Sequence, residues 1–189
     1  SQVASTGAIK NIANEYTNMA MFYFNLVKDA IYKKYGYTGE NDIKIKRLVG
    51  KFDRVLVDAP CSGLGTLRRN PDLKWRHGVD SVARLTELQA SILRSAARLV
   101  KDGGTLVYAT CSVLPAENQN IVNAFLAAHP DFEKVPVREI LNAQKIDIPE
   151  SAQRDGYLQL LPHLHHTDGF FAAYLRKKPA VKAAEHQED

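Results

Sequence analysis

Two apolar runs, Val55-Leu56-Val57-Asp58-Ala59-Pro60-Cys61 and Leu106-Val107-Tyr108-Ala109-Thr110-Cys111, each end on one of the chain's two cysteines. The segment between them carries Val82, Leu85, Leu88, Ile92, Ala96 and Leu99 at helical spacing. Strand, helix, strand in that order predicts two parallel neighbours in an α/β sheet, joined by a right-handed crossover. Ligands of such sheets bind beyond the carboxyl ends of the strands. Both thiols are therefore expected to face one crevice.

The rest of the chain can be arranged around this unit. Residues 8 to 35 carry a long helical stripe of Ile9, Ile12, Tyr16, Met19, Tyr23, Leu26, Ala30 and Ile31, with Gly36 as its stop. Ile43, Ile45 and Arg47 to Val49 hint at a short strand or irregular connector. After the first apolar run comes a Gly- and Arg-bearing loop, then a helix over about Ser81 to Val100, which Gly103-Gly104 is expected to end. Pro115 is expected to open a further helix, packing through Ile121, Val122, Phe125 and Leu126 until His129-Pro130 stops it. Glu139 to Asp155 shows little periodicity. Tyr157 to Leu161 and Gly169 to Leu175 read as an antiparallel strand pair at a sheet edge.

At 189 residues the chain has room for one domain with a sizeable core. Composition shifts at Lys51: Arg47 is the sole arginine before it, whereas the remainder favours Arg, Ala and Leu. This divides the chain into a helical head (1–50), an α/β domain (51–178) and a polar tail (179–189) expected to fray. The formal charge of +4 permits an acidic partner such as nucleic acid, but a solvated surface gives the same balance. No apolar stretch is long enough to span a bilayer and no secretory leader pattern is present, so no membrane association and a cytoplasmic location are expected. Two cysteines at separate strand ends make a poor disulfide framework.

Asp58-Ala59-Pro60-Cys61-Ser62-Gly63 together with Thr110-Cys111-Ser112 resembles the paired signature of the RNA 5-methylcytosine methyltransferases, the Sun/Fmu (RsmB) and NOL/NSUN group. The run from Leu64 through Arg68-Arg69-Asn70-Pro71-Asp72-Leu73-Lys74-Trp75-Arg76 is similar to the bacterial Sun/Fmu branch, which methylates small-subunit ribosomal RNA. Leu160-Leu161-Pro162-His163 and Thr167-Asp168-Gly169-Phe170-Phe171 are similar to that family's last motif. The resemblance covers about residues 51 to 178. It implies a partial Rossmann-like S-adenosylmethionine-dependent methyltransferase sheet, here preceded by the long N-terminal helix.

The implied reaction explains why two thiols are useful. Carbon 5 of cytosine is a poor nucleophile; a thiolate adding to carbon 6 makes carbon 5 enamine-like and ready to take a methyl group. By resemblance, Cys111 is the attacking nucleophile and Cys61 assists product release. Asp58 would bond the pyrimidine edge, and Asp58 with Pro60 would border the cofactor. An ordinary thiol near pKa 8.5 is only a few per cent ionised at neutral pH, so helix amides after Pro115 are expected to help activate Cys111. The plain alternative is that each Cys packs as a small hydrophobe.

Arg68, Arg69, Lys74 and Arg76 are the candidate RNA contacts, with Trp75 as a base-stacking platform; the competing readings are a solvated basic loop and a core tryptophan. Gly63-Leu64-Gly65 lacks the third glycine of a dinucleotide loop, and Cys61-Ser62-Gly63 is not a hydrolase elbow. His163, His165 and His166 lack placed carboxylates or thiols, so no metal is expected. Asp168 is either an active-site neighbour, by resemblance, or a turn residue before Gly169.

The glycine-rich loop with which this family binds its cofactor has no counterpart upstream of Lys51. Two functions therefore stay open. One is methyl transfer to carbon 5 of cytosine in ribosomal RNA through a cysteine adduct, with a partner chain or dimer able to cover the sheet edge. The other is a non-catalytic fragment, fusion or pseudoenzyme acting as a folding or RNA-binding module.

Overall fold

The computed structural model describes residues 47–76 and 78–180. The expected N-terminal helix and the polar tail beyond residue 180 lie outside these residues. Within them, β1 (Phe52–Asp58) and β2 (Val100–Thr110) pair in parallel, with Val55 opposite Leu106 and Asp58 opposite Ala109. The paired ends set both cysteine-bearing loops on one side of the sheet, as the sequence predicts.

Between these strands lie the short α1 (Leu73–Arg76) and the long α2 (Val79–Ala97). Residues Gln89, Ile92, Leu93, Ala96 and Ala97 of α2 are buried. Their i, i+3, i+4, i+7, i+8 spacing is the apolar stripe by which a helix packs on a sheet. The stop of α2 differs from expectation. The helix ends at Ala97, and Gly103-Gly104 lie inside β2, where two steps along β1 (Phe52 to Arg54) face five along β2 (Val100 to Thr105). Gly103 has φ +76°, and a Cβ on Gly104 would lie 2.9 Å from the Asp53 carbonyl oxygen. The glycine pair makes a bulge, where the backbone needs both a left-handed turn and a close approach.

Beyond β2, a single 3-10 turn at Pro115–Glu117 precedes α3 (Gln119–Ala128), which buries Ile121, Val122 and Phe125. β3 (Phe132–Val135) and α4 (Val137–Ala143) follow, the latter running into the stretch from Glu139 where sequence periodicity is weak. A further 3-10 turn, Glu150–Ala152, leads into the two-residue β4 (Gln153–Arg154), paired with β5 (Tyr157–Leu160). The four-residue α5 (Pro162–His165) then leads to β6 (Phe170–Lys177).

The strand order is β1-β2-β6-β5-β4, with β3 also on β6. Strand β6 is antiparallel to β2 along one side, while on its other side β5 pairs its first half and β3 its second. The predicted β5/β6 pair is correct, but β6 is an interior strand. Its alternation of buried Phe171, Ala173 and Leu175 fits that place. These side chains meet Leu93, Val100, Leu106, Tyr108 and Val122 in one core. Burial of each large apolar side chain there contributes about 1.5–3 kcal/mol relative to exposure. The core lies directly beneath the strand ends and fixes where the two loops leave the sheet.

Candidate active site

The parallel pairing continues one step past the strands, where the Ala59 amide donates to the Ala109 carbonyl at 2.9 Å. Pro60-Cys61 and Cys111 then leave the sheet side by side. Both cysteines are free and half-buried, and their Sγ atoms lie 3.4 Å apart, within hydrogen-bonding reach. That contact divides the two thiols chemically. The hydrogen bond from Cys61 stabilises the Cys111 thiolate and lowers its pKa to about 7, against burial and the nearby Asp58 and Glu117 charges. The Cys61 thiol is pushed up, first by serving as donor to Cys111 and then by burial. The direction is toward a more acidic Cys111 beside a less acidic Cys61.

Helix amides do not supply this activation. The Glu117 and Asn118 amides after Pro115 donate to the Leu114 and Pro115 carbonyls of the 3-10 turn. The sulfur neighbour takes that role, a pairing that only the fold creates. Asp58, at the β1 terminus, stays open to solvent on one side, while partial burial raises its carboxyl above the usual range. Pro60 contributes its carbonyl, which accepts from Gln89 Nε2 at 2.9 Å.

Beneath the thiols lies a polar cluster unforeseen in the sequence. The Glu117 side chain is fully buried. Its carboxylate accepts from the Ser62 amide at 2.8 Å, the Ser62 hydroxyl at 2.6 Å, the Ser112 hydroxyl and Gln89 Nε2 at 3.1 Å. The Tyr108 hydroxyl donates to the Glu117 carbonyl at 2.7 Å, and Asn118 Nδ2 donates to the Ser112 carbonyl at 2.9 Å. A signal existed: a serine follows each cysteine. Nothing local, however, shows that both serines share one acid.

The third motif closes the site. The Gly65 amide donates to the Cys111 carbonyl at 2.9 Å, and the Gly169 amide donates to the Gly65 carbonyl at 2.7 Å. A Cβ on Gly65 would lie 2.4 Å from the Gly169 oxygen and 2.6 Å from the Cys111 oxygen. Gly65 is thus a packing residue between the Gly169 and Cys111 backbones. Asp168, beside Gly169, accepts from Arg69 Nε at 2.7 Å, and Arg69 is electrostatically coupled to Cys111. The structure thereby brings Asp168 and Arg69 to the rim of the thiol site.

The remaining basic candidates lie farther out on the same loop. Arg68, Lys74 and Arg76 are exposed; Arg76 pairs with Asp72, and Lys74 Nζ sits 4.8 Å from the Trp75 ring centre. Trp75 is 81% exposed, so the core reading of this tryptophan fails: among the described residues no apolar layer covers α1. His165 uses both ring nitrogens, accepting from the Leu161 amide at 2.8 Å and bonding the Ser151 hydroxyl at 3.0 Å.

Comparison with known proteins identifies the family. The family described as 16S rRNA methyltransferase RsmB/F matches residues 18–176, a span that begins upstream of the composition shift at Lys51. The chain is 49% identical over 149 residues to the probable ribosomal RNA small subunit methyltransferase B of Bacillus subtilis, covering 77% of this chain and 30% of that protein. It is 45% identical to ribosomal RNA small subunit methyltransferase B of Klebsiella pneumoniae, covering 68% of this chain and 27% of that one. Among solved structures, PH0851 aligns with TM-score 0.60 and 41% identity over 68% of this chain and 27% of its own. NSun6 from Pyrococcus horikoshii, solved with SFG, aligns with TM-score 0.56 and 29% identity over 71% of this chain and 32% of its own. The chain thus spans about three tenths of the length of these relatives.

Proposed function

The chain belongs to the RsmB/F family of 16S rRNA methyltransferases, and on that basis we propose that it carries the base-handling part of a cytosine-C5 methyltransferase acting on small-subunit ribosomal RNA. The observation that carries the reading is the pair of free thiols in contact at adjacent parallel strand ends.

The chemistry follows from the geometry. Cys111, about half ionised near neutral pH, adds through Sγ to carbon 6 of the base, and the electrons of the ring double bond shift toward carbon 5. Asp58, held above the usual carboxylate range, keeps a proton to higher pH and can present it to the ring nitrogen that drains carbon 6. S-adenosylmethionine, when bound, supplies the electrophilic methyl group that carbon 5 takes up. Asp58 and Pro60 are the described residues at the strand end where that cofactor would border the base, and an open carboxyl beside a strand terminus suits its hydroxyl and amine donors. SFG, an analogue of S-adenosylmethionine, in the NSun6 structure supports this choice. Once a solvent water takes the carbon-5 proton, the electrons of that C–H bond re-form the ring double bond and Cys111 departs as thiolate. The Cys61 S–H is placed to donate to that thiolate and ease its release.

The RNA itself would lie over Arg68, Arg69, Lys74 and Arg76, whose charges suit phosphates, with Trp75 free to stack on a base. Its small-subunit identity is supported by the printed names of the relatives.

Calorimetric titration of the purified chain with S-adenosylmethionine tests the cofactor step. Saturable binding near micromolar, about −8 kcal/mol, is expected if the chain holds its own cofactor, and radiolabelled methyl transfer to ribosomal RNA should then vanish in Cys111→Ala. No heat up to millimolar cofactor would overturn autonomous catalysis. It would leave the base-handling module as a non-catalytic part.

A further inference from the structure

A fully buried glutamate is costly to place in a core unless its oxygens are well partnered. Glu117 meets that condition by accepting from four donors on three segments: the Ser62 amide and hydroxyl, the Ser112 hydroxyl and Gln89 Nε2. A carboxylate has about four lone-pair sites, so its capacity is filled. Two of the donor residues directly follow the cysteines in sequence. Ser62 leaves β1 after Cys61, and Ser112 leaves β2 after Cys111; their hydroxyls stand 3.4 Å apart, the same separation as the two sulfurs. The Gln89 amide also holds the Pro60 carbonyl, one residue before Cys61.

We infer that Glu117 is a positioning residue that clamps the two cysteine loops together through Ser62 and Ser112, and so holds the Cys61 and Cys111 sulfurs within hydrogen-bonding reach. Glu117 does not contact the reacting atoms and is not a catalytic residue. Its use in methyl transfer rests on the function proposed above, but the clamp is a property of the chain alone.

Electrostatics makes the inference testable, because charge and clamp act on Cys111 with opposite signs. The charged groups facing Cys111 are Asp58 from β1, Arg69 from the following loop and Glu117 itself, with Cys61 as the hydrogen-bonding neighbour. As a nearby negative charge, Glu117 opposes ionisation of Cys111; as a clamp, it preserves the Cys61 hydrogen bond that favours ionisation. Removing a mere charge would lower the Cys111 midpoint. Loosening the clamp would raise it.

The experiment is peptide-resolved alkylation of the full chain by iodoacetamide across pH, which needs neither RNA nor cofactor. The wild-type Cys111 midpoint is expected near pH 7. In Glu117→Gln, which keeps the side-chain volume, the midpoint should rise by roughly one unit or more toward the ordinary thiol range. An unchanged or lower midpoint in a variant with wild-type circular dichroism would overturn the clamp. Should Glu117→Gln fail to fold, Ser112→Ala decides, since it removes one strut and leaves the charge: a rise supports the clamp, and an unshifted midpoint overturns it. Loss of methyl transfer with an unshifted Cys111 midpoint would count against the clamp, whereas a raised midpoint with methyl transfer intact would leave the clamp standing and count against the proposed function.

Discussion

Cys61 and Cys111 stand 50 residues apart in sequence and 3.4 Å apart at sulfur, because Asp58 and Ala109 are paired across the ends of two parallel strands. The register of that one pairing decides the chemistry of the site. A slip of one residue would send one thiol to the opposite face of the sheet.

The first prediction concerns pH. Cys111 reacts as its thiolate, so its alkylation should rise with pH and be half-complete near pH 7. In Cys61→Ala the hydrogen bond that holds the midpoint down is lost. The Cys111 midpoint should then move up toward about 8.5, the ordinary thiol value. A midpoint still near 7 in that variant would show that Cys61 is not the cause.

A second prediction follows from the three backbones that meet at Gly65. A methyl group there has no flexible neighbour to displace, since its nearest atoms are the Gly169 and Cys111 carbonyl oxygens. Gly65→Ala should therefore destabilise the fold by about 2 kcal/mol or more, read from urea midpoints. Gly78→Ala, where nothing lies within 4 Å, serves as the control expected to stay close to wild type.

The sulfur contact also predicts an oxidation product. Hydrogen peroxide should convert the Cys111 thiolate to a sulfenic acid, which the Cys61 thiol attacks with loss of water to give an intramolecular disulfide. Mass spectrometry should find the chain lighter by two hydrogens, unreactive to iodoacetamide, and restored by dithiothreitol. Oxidised chains cross-linked between molecules, with no internal bridge, would contradict the geometry.

RNA binding through the basic loop carries its own signature. Lys74→Ala and Arg68→Ala should each weaken binding of a single-stranded oligoribonucleotide and flatten the dependence of log affinity on log salt by about 0.7, measured by fluorescence anisotropy. Exposed Trp75 should be quenched as RNA binds. An unchanged salt slope in both variants would return these residues to an ordinary solvated surface.

What the sequence determined by itself was the part written in short-range pattern. The two apolar runs, the helical stripe between them and the cysteine at each run's end sufficed to place Cys61 and Cys111 at one edge of a parallel pair, and the motif residues around them marked the family. Tertiary structure decided everything that depends on segments distant in the chain. The interior place of β6, the packing role of Gly65 against Gly169, the partner of Arg69, and the burial of Glu117 beneath both serines arise only when three loops converge. The physical reason is that hydrophobic periodicity reports which face of one element turns inward, whereas a hydrogen bond or a thiol pKa depends on which groups from other elements stand within a few ångströms. A glutamate after a proline reads as a surface residue until the fold supplies four donors for it.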